Sequence, residues 1–297
     1  MKKILLILLL LLITNSIYAE KIEVLVGFPP GGAQHTIALI IEDGLRSSGH
    51  DVVVNIKPGA GGVIAMNECI KRADPKVLCL ASQSQLVHTD ILSSDAIRYQ
   101  PEHLTYIKLV GESPLVLLSS VTNTKSIQDV IEDIRNNKIT FGSGALGNSV
   151  ATRQLLTFLK SQKAIDVNYK GVGPAMVDLM GTHIDYVIAP YAAAKTHIDQ
   201  KSVRVVATFE KESSLIGIEA FPNFAVPVTI FGFVGAVDMN KNSIRFQERI
   251  LTELMENKVV QQKFKEQGIF VSRKSLTGAD FKKMVVDERK NYMSTSK

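Results

Sequence analysis

Short apolar runs alternate along the chain with longer stretches in which apolar residues recur every three to four positions. The short runs predict buried strands at residues 22–26, 51–57, 76–81, 104–110, 115–121, 138–142, 166–169, 184–189, 203–208 and 230–236. The longer stretches predict helices that end near residues 48 and 160, and helices at 63–72, 126–136, 173–180, 243–257, 259–267 and 277–292. Strands that alternate with helices are typical of an α/β fold with mostly parallel sheets and helices on both faces.

The composition is that of a folded, globular chain. Of 297 residues, 45% are hydrophobic and 21% are charged, an apolar share too high for disorder, and the length indicates about two domains. Aromatic residues make up 6% and tryptophan is absent, which argues against a stacking surface for sugars or single-stranded nucleic acid. The formal net charge of +5 arises from Lys and Arg spread along the chain, so we expect no nucleic-acid partner.

The N-terminus has the order of regions found in a secretory signal peptide. Lys2 and Lys3 precede an unbroken apolar run at residues 4–13, and the polar residues 14–16 then lead to Ala19. The apolar run is too short to span a bilayer as a helix, although an uncleaved membrane anchor is the alternative. We therefore expect a signal peptide at residues 1–19 and an exported mature chain.

The two cysteines follow one another closely in the mature chain. Cys69 lies on a predicted helix and Cys79 on the strand after it. We interpret them as two buried thiols that act as small apolar residues. An oxidising compartment would permit a bridge between them as the alternative.

Three of the predicted strand-to-helix turns are rich in glycine, at residues 29–32, 58–62 and 142–147. Glycine allows the backbone to approach a ligand closely. The N–H groups at the start of each following helix attract anions. Together, the turns predict a site for carboxylate or phosphate groups.

One of these turns matches the dinucleotide-binding fingerprint. Gly142, Gly144 and Gly147 have its spacing, and Asp166 follows at the distance usual for a ribose contact. Asp166, however, stands at the beginning of its predicted strand, whereas a ribose contact requires the end of the strand. Export would also remove the chain from cytoplasmic nicotinamide pools, so an exported nucleotide-binding enzyme is the weaker alternative.

Other catalytic and metal-binding patterns are absent from the sequence. The six histidines show no HExxH spacing, and the chain has neither a G-x-S-x-G elbow nor a Walker A motif. We therefore expect a binding protein rather than an enzyme, with no cofactor and no metal.

Four motifs and one further residue occur in the order known from one family. They are Val-Gly-Phe-Pro-Pro-Gly-Gly at 26–32, Pro-Gly-Ala-Gly-Gly at 58–62, Tyr-Lys-Gly at 169–171, and Asp-Leu-Met-Gly at 178–181 followed by Asp185. The chain thus resembles the substrate-binding proteins of tripartite tricarboxylate transporters, the TctC-like or Bug family. The resemblance extends over essentially the whole mature chain.

The resemblance implies a two-lobed periplasmic binding protein of type II, a Venus flytrap. The implied first lobe is discontinuous, with residues 20–121 and 226–297, and the second lobe comprises residues 122–225. Members of the family capture small organic carboxylates in the periplasm and deliver them to a membrane permease. We expect the same of this chain, as a monomer that meets the permease subunits.

The resemblance also implies where the ligand lies. In the family, the first loop and the glycine-rich loop of the second lobe hold one ligand carboxylate, largely through backbone N–H groups and bridging waters. The ligand-binding residues implied here are Phe28, Pro30, Gly31, Gly32, Ala33, Gln34, His35, Ser82, Ser143, Gly147, Asn148, Ser149, Tyr169, Gly171 and Asp185.

The chain departs from the family pattern at His35, Leu39 and Ile56, where the family usually has Asp, Arg and Asn. These changes motivate an alternative function, in which the protein presents a ligand to a sensor or another partner without a transport role. In one interpretation, the imidazole of His35 helps Gln34 to select the distal group of the ligand. In the other, His35 is a surface residue at the start of the helix with no role in ligand binding.

Overall fold

The computed structural model describes residues 21–89, 96–271 and 276–295. The predicted signal peptide lies outside this range. The strands form two five-stranded sheets, in the orders β2-β1-β3-β10-β4 and β7-β6-β8-β5-β9. The strands are β1 Ile22–Val26, β2 Val52–Ile56, β3 Val77–Ser82, β4 Thr105–Ser113, β5 Leu115–Ser120, β6 Thr140–Ser143, β7 Ile165–Asn168, β8 Tyr186–Pro190, β9 Val203–Thr208 and β10 Thr229–Gly235.

Helices connect most of these strands and cover the sheets. They are α1 Ala33–Ser47, α2 Val63–Arg72, α3 Gln83–Leu86, α4 Ile127–Asn136, α5 Leu146–Leu159, α6 Val172–Met180, α7 Tyr191–Asp199, α8 Lys241–Glu256, α9 Lys258–Glu266 and α10 Gly278–Thr295. The pattern along the chain did not predict α3 and α7. The described residues also include two short 3₁₀ helices, Ala60–Gly62 and Pro101–His103.

Local sequence explains where several helices begin. The Ser126 hydroxyl caps α4 by accepting from the Asp129 N–H, and the Asp129 carboxylate accepts from the Ser126 N–H, which completes a capping box. Asn240 and Asn257 cap α8 and α9 through their side-chain oxygens.

Most strands of each sheet run in one direction, as expected, but each sheet is mixed because it contains one reversed strand. In each sheet four strands run in the same direction and one is reversed: β10 runs antiparallel to β3 and β4, and β5 runs antiparallel to β8 and β9. A parallel pair needs a long crossover, usually a helix, between its strands. The chain instead enters β5 directly from β4 through Pro114, and it enters β10 from residues 209–228, which contain no helix.

The chain passes from one sheet to the other at these same two places, before β5 and before β10. Because β5 belongs to the second sheet, the first passage falls at Pro114, before the predicted lobe boundary at residue 121. The second passage lies between β9 and β10, in the segment that contains the predicted return at residue 226. The sheet topology therefore assigns β5 to the second lobe.

The largest apolar core runs through both lobes. It includes Ile37 and Ile41 of α1, Val116 of β5, and Ala192 and Ala193 of α7. Helix α1 of the first lobe packs against α7 of the second. A separate core lies within the second lobe, around α4, α5 and the strands beside them.

Cys69 and Cys79 form a disulfide bond, so the interpretation of two free thiols is wrong. Helix α2 lies against β3, and the two Cα atoms are 6.1 Å apart, a separation that a bridge spans readily. The bond is buried with Leu25, Ala65 and Val77, and it ties α2 to the first sheet.

Candidate functional site

The glycine-rich turns lie at the carboxyl ends of parallel strands, two in the first sheet and one in the second. Turn 27–32 follows β1, turn 57–62 follows β2, and the short turn at 144–145 follows β6. Gly31 and Gly62 have φ angles of 88° and 90°, a left-handed conformation that glycine adopts without steric cost. The predicted use of glycine for tight turns at a cleft is therefore visible in the backbone.

Turns of the two lobes touch one another across the cleft. A Cβ atom at Gly171 would lie 2.5 Å from Cγ of Pro29, and one at Gly173 would lie 3.0 Å from the carbonyl oxygen of Pro30. The Gly147 N–H of the second lobe also donates to the Ser84 Oγ of the first, at 3.0 Å. The lobes are thus closed on each other, and the close approach depends on the missing side chains of the glycines.

A small cavity lies between these turns, and we call it the inner cavity. Its volume is about 40 Å³, which corresponds to a few water molecules. It is lined by Phe28, Pro29, Gly32, Ala33, Gln34, Ser82, Ser84, Gly144, Ala145, Asn148, Val172, Pro190, Ala193, Thr229 and Phe231.

Two helices begin at the inner cavity without a capping side chain. Helix α1 starts after Gly32 and α5 starts after Ala145, and neither helix has an acidic residue in its first turn. The N-terminus of a helix carries a partial positive charge and unpaired N–H groups. The two helix starts therefore give the inner cavity a positive potential that favours an anion.

Asn148 presents to the inner cavity a fully buried side-chain donor that lacks a partner among the described residues. Its side chain is 3% exposed, and Nδ2 makes no hydrogen bond. A buried amide N–H₂ without an acceptor costs about 1–3 kcal/mol, so a ligand that supplies an acceptor removes this cost. The backbone N–H groups of Asn148 and Ser149 both donate to the Ala145 carbonyl oxygen.

Gln34 and Ser82 line the inner cavity, and both are hydrogen-bonded to the side chain of Gln85. The Gln34 Oε1 accepts from the Gly27 N–H at 3.2 Å, and its Nε2 donates to the Gln85 Oε1 at 2.5 Å. The same Gln85 oxygen accepts from the N–H and the hydroxyl of Ser82. This network within the first lobe holds the wall of the cavity rigid.

A larger outer cavity of about 580 Å³ adjoins the inner one, and the two share Phe28, Gly144 and Ala145. It is lined by Phe28, Gly59, Ala60, Gly61, Ser143, Gly144, Ala145, Leu146, Ser149, Arg153, Asp166, Asn168, Tyr169 and Lys170. Two cations and one carboxyl give the lining a net positive charge. The outer cavity is thus suited to a second anionic group of a ligand that enters the inner cavity.

Most polar side chains of the outer cavity already have partners. The Ser143 Oγ donates to Asp166 Oδ1 at 2.6 Å, and the Ser149 Oγ donates to Asn168 Oδ1 at 2.7 Å. Burial raises the pKa of Asp166, and the hydrogen bond from Ser143 and the charge of Arg153 oppose this shift.

Tyr169 contributes its ring to the outer cavity, while its hydroxyl donates to the Asp178 Oδ2 at 2.6 Å. Burial, with the bond to Asp178, raises the pKa of Tyr169 to about 12. The tyrosine therefore stays neutral and provides an apolar wall.

The structure brings together many of the residues implied by the family resemblance. Phe28, Gly32, Ala33, Gln34, Ser82 and Asn148 line the inner cavity, and Ser143, Ser149 and Tyr169 line the outer one. Gly147 lines a third cavity, described below.

Pro30, Gly31, His35 and Gly171 line neither the inner nor the outer cavity. Gly171 lies at the contact between the lobes. His35 is half-buried in the first turn of α1, where burial lowers its pKa.

Asp185 does not join the site. Its carboxylate accepts from the Thr140 N–H at 2.8 Å, at the start of β6. The cavities lie at the other ends of β6 and β8, where Ser143 and Pro190 line them. Asp185 therefore lies away from both cavities, because the residue precedes its strand rather than following it.

The glycines of the apparent dinucleotide fingerprint serve close packing. A Cβ atom at Gly144 would lie 2.3 Å from the backbone nitrogen of Val172, and one at Gly142 would lie 2.5 Å from Cδ1 of Ile184. Asp166 bonds to Ser143 as described above. The spacing is thus explained by packing of the turn against α6.

Several lining residues lie outside the set implied by the resemblance. Thr229 and Phe231 enter the inner cavity with β10, and Pro190 and Ala193 enter it beside α7, a helix that the pattern did not predict. Arg153 follows Ser149 by one turn of α5, and its Nε donates to the Ser149 carbonyl oxygen. The sequence signal that could have identified Arg153 is its position as a cation one turn after a glycine-rich helix start.

Two further properties follow from the described residues. Within residues 21–89, 96–271 and 276–295, no helix combines the length and the apolar character that a membrane span requires. In the same part of the chain, no group of three or more His, Cys, Asp or Glu side chains is arranged to hold a metal ion.

Known proteins share both the sequence pattern and the fold. The family described as the tripartite tricarboxylate transporter family receptor matches residues 37–236. Protein BugT of Bordetella pertussis is 30% identical over 267 residues, which cover 84% of this chain and 81% of BugT.

Solved structures match the fold over nearly the whole chain. The periplasmic binding protein BugD has a TM-score of 0.85 at 20% identity, with 94% of this chain and 97% of BugD covered. MatC from Rhodopseudomonas palustris with bound malate has a TM-score of 0.83 at 17% identity, with 94% of this chain and all (100%) of MatC covered. The predicted two-lobed α/β fold is confirmed, and the chain belongs to the tripartite tricarboxylate transporter receptor family, as a solute-binding protein.

Proposed function

We propose that this protein is exported to the periplasm, captures a small organic carboxylate in the inner cavity, and delivers it to a membrane permease without chemical change. The observation that carries the proposal is the buried Asn148 amide, which has no acceptor and lies where α1 and α5 begin. A carboxylate oxygen supplies the missing acceptor and the negative charge that both helix starts favour.

The strength of this capture comes from charge-assisted hydrogen bonds. Each hydrogen bond to an ionised group contributes about 1.5–3 kcal/mol. Asn148 belongs to the second lobe, whereas Ala33 and Gln34 at the start of α1 belong to the first. A carboxylate held from both sides stabilises the closed arrangement of the lobes over the open one. The closed, liganded form is then the one that the permease recognises.

A second acidic group would extend into the outer cavity. Arg153 and Lys170 are exposed there and carry positive charge next to the shared wall at Phe28. A dicarboxylate is therefore the favoured ligand class. The malate bound to MatC, a protein of the same fold, agrees with this choice.

Calorimetry of the purified mature chain against succinate, malate, glutamate and benzoate tests the proposal. We expect a dicarboxylate to bind, and Asn148→Asp to weaken binding at least about tenfold, because a carboxylate side chain repels the ligand. An acidic residue in the first turn of a helix favours folding, so the variant retains its structure.

The matched control is Asn242→Asp, the same change at an exposed position in the first turn of α8. We expect this variant to bind like the wild type. Failure of every carboxylate to produce heat or a thermal shift would refute the proposal, as would full affinity in Asn148→Asp.

The sensor alternative shares the binding step and differs in the partner. The departures that motivated it lie outside the inner and outer cavities: His35 is half-buried, Leu39 is exposed, and Ile56 packs against the first-lobe core. They therefore give no reason to expect lost binding. Deletion of the permease genes and deletion of this gene should abolish growth on the ligand alike; growth of the permease mutant alone would favour the sensor.

A further inference from the structure

A third cavity is lined by residues of α3, α5 and α10, and we call it the α10 cavity. Its volume is about 390 Å³, and it shares no residue with the inner or the outer cavity. It is lined by Gln83, Val87, His88, Leu115, Gly147, Val150, Ala151, Gln154, Phe224, Ala225, Val226, Pro227, Glu288, Asn291 and Tyr292.

The lining is mostly apolar and comes from both lobes. Val87 lies just after α3 in the first lobe, whereas Val150 and Ala151 belong to α5 in the second. Phe224 comes from the segment that returns to the first sheet. Such a cavity accepts a small apolar body, while the few polar side chains decide which head group accompanies it.

Glu288 places a carboxyl in this apolar wall without a cationic partner among the described residues. Its oxygen accepts a hydrogen bond from the Gln83 Nε2, and the charged group that acts on it is another carboxyl, Glu112. No Lys or Arg of the part of the chain that the structure describes forms an ion pair with it; the neighbouring Arg289 pairs with Glu102. Burial accordingly raises the pKa of Glu288 to about 7.

His88 adds a second acceptor to the same cavity. The residue is 6% exposed, and its Nδ1 has no hydrogen-bond partner. Burial, together with the charges of Arg289 and Arg153, lowers the pKa of His88 to about 4. The ring is therefore neutral, and in its Nε2–H tautomer Nδ1 accepts a hydrogen bond. The Tyr292 ring packs edge-on against the imidazole of His88, with 4.7 Å between the ring centroids, and holds the orientation of the imidazole.

We propose that the α10 cavity is a second ligand site, which binds a small organic amine with an apolar body. The ammonium group donates to the Glu288 carboxylate and to the His88 Nδ1. The apolar body lies against Val87, Val150 and Phe224. An ammonium has three donors and no acceptor, which matches the Glu288 carboxylate and the unpartnered His88 Nδ1. Its charge also supplies a counter-ion that the described residues do not give to Glu288.

The chemistry of the wall argues against other classes of ligand. An anion would meet the Glu288 carboxylate without a neighbouring cation in the lining. A neutral alcohol would gain the apolar contact but would leave the carboxylate uncompensated. The α10 cavity therefore favours a cationic ligand, whereas the site in the cleft favours an anionic one.

The test uses benzylamine as the probe and the full mature chain as the protein. Calorimetry is expected to show saturable binding of benzylamine and binding at least about tenfold weaker for benzyl alcohol, the neutral analogue of equal size. Absence of benzylamine binding, or equal binding of the two probes, would overturn the proposal.

Two variants locate the site. Glu288→Gln removes the charge and should weaken benzylamine binding about tenfold or more, while His88→Phe keeps the ring against Tyr292 and should weaken it about two- to tenfold. The matched control is Glu212→Gln, at an exposed glutamate away from the cavity, which should leave binding unchanged. Wild-type affinity in both cavity variants would refute the assignment.

A competition experiment separates this site from the cleft. Saturation with a dicarboxylate should leave the affinity for benzylamine unchanged within about twofold, because the cavities share no residue. Direct competition would place the amine in the cleft and would overturn the proposal. Benzylamine binding in a chain that binds no carboxylate would leave the amine site standing and would refute the proposed function alone.

Discussion

Substitution of Gly171 by alanine should weaken ligand binding without unfolding the protein. The residue precedes α6 with φ 169° and ψ 168°, an extended conformation that alanine also adopts. The added Cβ atom would lie 2.5 Å from Cγ and 2.8 Å from Cδ of Pro29 in the opposite lobe. Carbon atoms in contact are normally about 3.5–4.0 Å apart, so the lobes must separate by about 1 Å or more at this point.

The cost of this overlap falls on the closed form alone. Overpacking by one methyl group costs about 1–3 kcal/mol, and the open form does not bring Gly171 near Pro29. If closure accompanies binding, the affinity for the carboxylate falls about five- to 150-fold. Calorimetry measures the affinity, and small-angle scattering with saturating ligand reports whether the lobes close.

Gly217→Ala is the matched control, because a Cβ atom there has no neighbour within 4 Å. Its φ of 75° makes alanine cost about 1–2 kcal/mol of stability in open and closed forms alike. The affinity of this variant should therefore equal that of the wild type. Unchanged affinity in a folded Gly171→Ala protein would refute the closure mechanism.

Further predictions concern stability and ligand class. Burial raises the pKa of Glu288 from 4.5 to about 7, so its ionisation opposes folding as the pH rises through this interval. Glu288→Gln should therefore stabilise the protein by up to about 3 kcal/mol near pH 8 and by less than about 1 kcal/mol near pH 5; equal gains at both pH values in urea denaturation would contradict this. Replacing Cys69 and Cys79 by alanine opens a loop with a sequence separation of 10 and should lower the free energy of unfolding by about 3 kcal/mol; unchanged wild-type stability under a strong reductant would contradict it. Arg153→Gln should weaken succinate binding about two- to fivefold. An equal loss for butyrate, which has a single carboxylate, would show that the outer cavity does not bind a second acid group.

Hydrophobic patterning predicted most elements because their ends carry local signals. The expected ranges 63–72 and 203–208 coincide with α2 and β9, and the Ser126 cap marks the start of α4. Helix α7 was missed because it follows β8 at Tyr191 with no polar cap and no turn between them. Its alanine run, with high helix propensity, was the signal that indicated it.

Strand direction and the disulfide depend on contacts that a linear pattern does not contain. The pattern predicts no helix between β4 and β5, which a single Pro114 links, but it does not give the direction in which β5 pairs with its neighbours. The 6.1 Å between the Cα atoms of Cys69 and Cys79 depends on how α2 rests on the sheet. Neither feature follows from spacing along the chain.

The sequence predicted the turns of the site but not the hydrogen-bond partners of its side chains. Glycine residues indicated the turns, and the start of a helix was predicted after each turn. The bonds that commit candidate donors come from distant segments: Ser84 accepts from Gly147, and Gln85 accepts from Gln34. Only the folded chain distinguishes these committed donors from the Asn148 amide, which stays open.

The central claim is that the Asn148 amide binds a ligand carboxylate, and side-chain amide NMR tests it most directly. The resonances of Asn148 are assigned by their loss in Asn148→Asp, and malate is then titrated into the wild-type protein. The account predicts a saturable shift of the Asn148 Nδ2 protons with the same midpoint as the calorimetric binding curve. Binding heat without any change at these protons would contradict it.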